Sequence, residues 1–330
     1  MSQPEIAIIG LGLIGGSIGL ALRKAEPNFK IVGHDRERSV AKKAHKLGAI
    51  EKEEGNLISA VEGADLVIIA TPVMAIKEIF EATAPYLKPD CVITDTSTVK
   101  GEVLRWADEL LPETVHFVGG DPMVSGDETG IDAATPDLFI GSTYCLVPSA
   151  KVHSAAIELV ASMVRTLGAE PFFLDAAEHD GQIAGVEHLP LMLAAALLMT
   201  TTETPAWRDI SRLPSRTFWR ATHLSSTDPT TYRDICLANR ENISRWIDLY
   251  IESLKDLQGK LAAADGETWE DLFTELVDAR SRWLEGRTTV EAEIASRAME
   301  QIGGLRSLSS LIGIRQFRDF RESLQRRERK

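Results

Sequence analysis

Through its first half the chain alternates short, largely apolar runs with longer stretches in which apolar residues recur at helical spacing. Residues 5–9, 30–35, 64–70, 91–95, 116–120, 144–147 and 171–174 are such runs. Several are apolar on both faces, as expected of strands in a parallel sheet covered on each side. Between them residues 39–47, 75–87 and 154–167 follow the helical period, with Gly48 placed to end the first of these. Strand and helix in alternation predict a doubly wound, mostly parallel sheet. The pattern changes near Asp175. From there on strand signal nearly vanishes. Residues 176–202 read as a long helix that Pro190 should kink or interrupt. Pro205 and Pro214 punctuate an irregular connection, Asp228-Pro229 opens a helix reaching about residue 263, and residues 269–299 form a further helical region. These helices are amphipathic and need a surface to pack on. The pattern thus divides the chain into an α/β domain, residues 1–175, and an all-α domain, residues 176–330.

The first strand runs into Gly10-Leu11-Gly12-Leu13-Ile14-Gly15 and then into a helix. That context gives G-x-G-x-x-G its meaning: one glycine for a tight turn, one for close approach of a pyrophosphate, one for helix-on-strand packing. Asp35 ends the second strand twenty residues after Gly15, where a carboxylate can accept from both ribose hydroxyls and repel a 2′-phosphate. The first domain therefore reads as a Rossmann domain that binds NAD. The candidate cofactor residues are Gly10, Gly12, Leu13, Ile14, Gly15 and Asp35, with Thr71 and Pro72 at the C-terminal end of the 64–70 strand. Arg36 is the residue that could instead pair with a 2′-phosphate.

Charge and composition narrow the partners. A formal net charge of −13 on 330 residues argues against nucleic acid or an anionic membrane. There is no basic segment followed by an apolar core at the N-terminus, and the apolar run at 189–199 is too short to span a bilayer. Cys91, Cys145 and Cys236 are far apart and form no metal-binding or redox spacing. The reading is a cytoplasmic protein without disulfides or a metal centre. Residues 315–330 are basic and read as a solvated terminal helix.

Five segments discriminate among dehydrogenases of this architecture: GLGLIGGS, DTSTVK, GGDPMVSG, EHDGQIAGVEHLP and STDPTTYRDICLANRENI. Together they resemble the prephenate/arogenate dehydrogenase family of tyrosine biosynthesis, over about residues 6–261. β-Hydroxyacid dehydrogenases place a catalytic lysine on the first long helix of the second domain, and this chain has no lysine between Lys151 and Lys255. The resemblance implies NAD-dependent oxidative decarboxylation of a small anionic cyclohexadienyl substrate, and a homodimer formed through the helical domain. It implies that Thr98 keeps the family's serine hydroxyl and that His188 helps to hold the substrate. Leu191 replaces the family's second histidine in that motif. The family's catalytic histidine is Asp121 here, and its substrate-carboxylate arginine is His223; Arg216 and Arg220 lie near enough in sequence to replace that cation. Three readings of Asp121 stay open: the base of a less efficient dehydrogenase, an adaptation to a substrate such as a 4-amino analogue, or the mark of a non-catalytic NAD-binding regulator.

Overall fold

In the computed structural model the described residues are 4–124, 126, 128–224, 228–263 and 266–305, with side chains as far as residue 286. Eight strands form one sheet in the order β3-β2-β1-β4-β5-β6-β7-β8. They are β1 Glu5–Ile9, β2 Lys30–His34, β3 Lys52–Glu53, β4 Leu66–Ile69, β5 Val92–Asp95, β6 His116–Met123, β7 Thr143–Pro148 and β8 Glu170–Phe173. All neighbours are parallel except β6 and β7. The helices of this part are α1 Leu13–Ala25, α2 Arg38–Leu47, α3 Leu57–Val61, α4 Val73–Thr83, α5 Gly101–Leu110 and α6 Ser154–Thr166. Ile6, Ile8, Leu66, Ile68 and Val92 of the sheet pack with Ile18 and Leu22 of α1 and Leu159, Val160 and Val164 of α6. These strands are short and buried on both faces, so a continuous apolar run is the arrangement that removes most surface from water.

The later helices are α7 Ala176–Ile183, α8 Leu189–Thr202, α9 Trp207–Ile210, α10 Arg216–Ala221, α11 Pro229–Ala238, α12 Arg240–Ala263 and α13 Gly266–Leu305. By internal packing one compact unit holds the chain up to His179, and another spans Asp180–Arg287.

Several elements differ from the sequence pattern. β6 runs on to Met123, so Asp121 and Pro122 lie within a strand and not in its exit loop. The antiparallel β7 extends the ladder, pairing Asp121 with Cys145 and Pro122 with Tyr144. Beyond Val118 β6 has no register with β5, and such an edge-like stretch tolerates a proline. The helix expected over residues 228–263 breaks at Asn239. The disturbance expected at Pro190 appears as a π turn, Ala184–His188, after which Pro190 occupies the first turn of α8, where its missing N–H costs nothing. That turn joins α7 and α8 into a continuous helix, Ala176–Thr202, whose most apolar 18-residue window has a mean hydropathy of 1.6. The sequence expectation of a run too short for a bilayer is corrected here: the helix is longer than the 189–199 run and by length and composition alone could cross one, a test that the core helix of a soluble protein also passes. Only 28% of its apolar window is buried in the single chain. The basic stretch 315–330 lies outside the described residues.

Candidate active site

The glycine loop joins β1 to α1 at the C-terminal edge of the sheet. Gly10 has φ +89, and a Cβ on it would lie 2.3 Å from the Ala70 carbonyl oxygen and 2.9 Å from Thr71 Cγ2. A Cβ on Gly15 would lie 1.9 Å from the Gly10 carbonyl oxygen. These two glycines serve the fold. Gly12 differs: a Cβ there would meet nothing within 4 Å among the described residues, so open space lies over the loop. The first N–H groups of α1, at Leu13, Ile14 and Gly15, have no partner within the helix and carry the positive end of its dipole. Just beyond β2 the half-buried Asp35 accepts from Leu11 N and from Glu37 N, each at 2.8 Å. Its carboxylate therefore braces the loop, and each oxygen keeps a lone pair for a ribose hydroxyl. Arg36 is exposed. Thr71 and Pro72 close the C-terminal end of β4, Pro72 as the N-cap of α4. An open cradle over Gly12, a helix N-terminus and an acidic bracket fit a dinucleotide.

Asp121 sits further along the same edge and is 1% exposed. Its Oδ2 lies 3.2 Å from Nε2 of His179, on the first turns of α7, and His179 is fully buried. Burial pushes the Asp121 carboxyl above the usual range; the His179 hydrogen bond and the Lys100 charge pull it down, and burial wins. The scaffold beneath is built by DTSTVK. Lys100, fully buried, pairs with Asp95 and donates to the Gly120 carbonyl at 2.7 Å. Asp95 accepts from Gly120 N at 3.1 Å and from Ser97 N at 3.0 Å. A Cβ on Gly120 would lie 2.7 Å from the Asp95 carbonyl oxygen, so only glycine lets the two strands close here. This buried, hydrogen-bonded ion pair fixes the backbone one residue before Asp121. Ser97 joins the network directly, while Thr98, singled out from the sequence, is half-buried in the same loop.

In the unit from Asp180, the predicted substrate residues do not form one cluster. His188 is 2% exposed, with Nδ1 3.2 Å from Asn239 Nδ2. Arg220 and His223 are exposed and line a cavity of about 730 Å³ together with Leu191, Leu197, Tyr250 and Leu254. Arg216 is exposed and lies outside that lining. Sequence reading missed His179 and Asn239 as site residues. Both lie in motifs that carried the resemblance, EHD and ICLANRENI, and that recurrence was the available signal.

Two family profiles match the chain: prephenate dehydrogenase, nucleotide-binding domain, over residues 18–172, and prephenate dehydrogenase, dimerization domain, over residues 175–278. The prephenate dehydrogenase of Bacillus subtilis is 33% identical over 280 residues, which cover 84% of this chain and 76% of that protein. The cyclohexadienyl dehydrogenase of Zymomonas mobilis is 31% identical over 278 residues, covering 84% and 94%. The crystal structure of prephenate dehydrogenase from A. aeolicus, in complex with hydroxyphenyl propionate and NAD+, superimposes with a TM-score of 0.77 at 28% identity, over 86% of this chain and 99% of that one.

Proposed function

The chain belongs to the prephenate dehydrogenase family, and we propose that it oxidises a small anionic cyclohexadienyl acid, prephenate or arogenate, with NAD. When bound, NAD accepts the hydride from the ring carbon that carries the hydroxyl. The hydroxyl proton passes to the protein, the ring carboxylate leaves as CO2, and the ring becomes aromatic. The protein must supply a proton acceptor, donors for carboxylates and a fixed place for the dinucleotide.

The observation that carries this reading is the buried Asp121–His179 pair. Where the family has its catalytic histidine this chain has a carboxylate, and an imidazole reaches that carboxylate from α7. An ordinary exposed Asp is a weak base, because its pKa lies far below neutrality. Burial raises Asp121 above that range, the His179 hydrogen bond offsets part of the rise while fixing the carboxylate's orientation, and the net effect is a stronger acceptor than an exposed Asp. Coupled groups this close titrate as a pair, and the base is the pair. Gly12 and the N–H groups of Leu13, Ile14 and Gly15 would hold the pyrophosphate, Asp35 the adenosine ribose, with Thr71 and Pro72 beside it. Thr98, His188, Arg220 and His223 are the candidate donors to substrate oxygens, Arg220 as a permanent forked cation. Arg216, outside the cavity, is the weakest member of that set.

The protein works as a cytoplasmic homodimer in this reading. Support comes from the match to a dimerization domain over residues 175–278 and from large apolar side chains left exposed in the single chain, among them Leu254, Phe273, Val277 and Trp283. The test is to give the purified protein NAD with prephenate, arogenate or the 4-amino analogue in turn, and to follow reduced cofactor. Turnover of prephenate or arogenate is expected. Firm NAD binding without turnover of either would refute the proposal.

A further inference from the structure

Between Ala184 and His188 the long helix widens into one π turn, in which the Leu189 N–H donates to the carbonyl of Ala184, five residues back. Turns of this kind concentrate at functional sites. Two carbonyls just before it accept from side chains elsewhere in the unit: Asp180 O from Asn239 Nδ2 at 2.9 Å, and Gly181 O from Trp246 Nε1 at 2.8 Å. Gly185 lies against that indole, and a Cβ there would come within 2.5 Å of Trp246 Cζ2. The π turn is thus locked by α12 and by the break that precedes it.

Asn239 stands at that break and is 4% exposed. Its amide cannot be turned round. The Asp180 carbonyl can only accept, so the amide nitrogen must face it, and the amide oxygen accepts from Asn242 Nδ2 at 2.8 Å. The same nitrogen has its second N–H available to His188 Nδ1, 3.2 Å away. A ring nitrogen that faces an N–H donor carries the lone pair, so the ring proton of His188 resides on Nε2.

We propose that Asn239 is a positioning residue that fixes His188 in the Nε2–H form, so that the imidazole gives a hydrogen bond to an anionic oxygen of the substrate and cannot accept one. The contact with substrate rests on the function proposed above; the tautomer does not. Asn239→Asp reverses the device. A carboxylate beside Nδ1 can only accept, so the ring carries its proton on Nδ1 and donates to it, and the lone pair moves to Nε2, where it repels a substrate oxygen.

The experiment has two arms. The protein is labelled with 15N-histidine, and long-range proton–nitrogen correlations are recorded without substrate. The signals of His188, one of seven histidines, are assigned by their loss in His188→Gln. The expected spectrum has a protonated Nε2 and an unprotonated Nδ1 in wild type, moving to a protonated Nδ1 in Asn239→Asp. A wild type protonated on Nδ1 overturns the proposal. In the second arm, kcat/KM for prephenate should fall at least about ten-fold in Asn239→Asp, mainly through KM, as expected when a ring is held in the wrong tautomer. An unchanged kcat/KM in a variant whose tautomer has switched also overturns it. If Asn239→Asp does not fold, the wild-type spectrum alone decides. A wild type with the expected tautomer and no turnover supports the tautomer assignment and refutes the proposed function.

Discussion

Asp121→Asn should lower activity and raise stability together. The change is isosteric, so it opens no cavity in a site where Asp121 is 1% exposed and His179 is fully buried. The amide oxygen can still accept from His179. Lys100 is not orphaned, because Asp95 and the Gly120 carbonyl remain its partners. What is lost is a buried negative charge. The folded carboxyl is raised above its unfolded value, with burial the largest cause. A raised acid binds its proton more tightly when folded. Its contribution is therefore most favourable below the unfolded pKa of about 3.9 and is lost as pH rises through the folded pKa. At neutral pH the wild type is on the unfavourable side, and the neutral isostere avoids that cost. A tenfold change in the carboxyl's proton affinity on folding is worth about 1.4 kcal/mol, and each 1 kcal/mol gained is about 2–4 °C in Tm for a unit of this size. Activity should move the other way. An amide cannot accept the hydroxyl proton, and loss of a general base typically costs about 10²–10⁴-fold in rate. The assays are kcat on prephenate or arogenate with saturating NAD, and thermal melts at neutral and acid pH. A kcat within about three-fold of wild type would refute the pair as base. A lower Tm at neutral pH would show that the charged carboxylate is net favourable where it sits.

Three further outcomes follow from the same geometry. His179→Gln removes a group that pulls the Asp121 carboxyl down, so the loss of kcat/KM on acidification should begin at higher pH than in wild type; an acid limb that stays in place would show that the two groups do not titrate together. Asp35→Ser should weaken NAD by about 10–100-fold, the worth of hydrogen bonds to a charged acceptor, and should narrow the preference over NADP, with the loosened Leu11 turn adding to the loss; calorimetric titration checks this, and a wild type that binds NADP more tightly would assign control to Arg36. Wild type should sediment as a dimer at micromolar concentration, and Leu254→Glu, which places a charge on a half-exposed apolar helix face, should shift it toward monomer; a monomeric wild type would refute assembly through the helical unit.

Which elements can be read from sequence depends on how far their cause extends along the chain. β1, β2, β4 and β5 are legible because burial on both faces imposes a continuous apolar run. β3 is not, being two exposed residues at the sheet edge that pair with β2 and bury nothing. α5 has a helical period in Val103, Trp106 and Ala107, but Lys100 at its N-cap gives no capping signal, because that side chain is committed to Asp95. The break at Asn239 has neither glycine nor proline to announce it. Its side chain is held by Asp180 and His188, and that tertiary demand overrides a sequence that would otherwise continue as helix.

The two halves of the proposed chemistry differ in the same way. A dinucleotide cradle is made of backbone and needs one contiguous strand–turn–helix, so Gly10, Gly12 and Gly15 report it on their own. A general base needs side chains from separate segments, and Asp121 and His179 are 58 residues apart. Taken alone, a carboxylate in place of a histidine reads as a weakened base or a changed substrate. Beside the imidazole from α7 that contacts it at 3.2 Å, the same carboxylate has the partner on which the proposed role as base depends. The meaning of the substitution at 121 therefore resides in its partner. Lys100 adds to this: held by its salt bridge with Asp95, its charge lowers the Asp121 carboxyl against the larger rise that burial imposes.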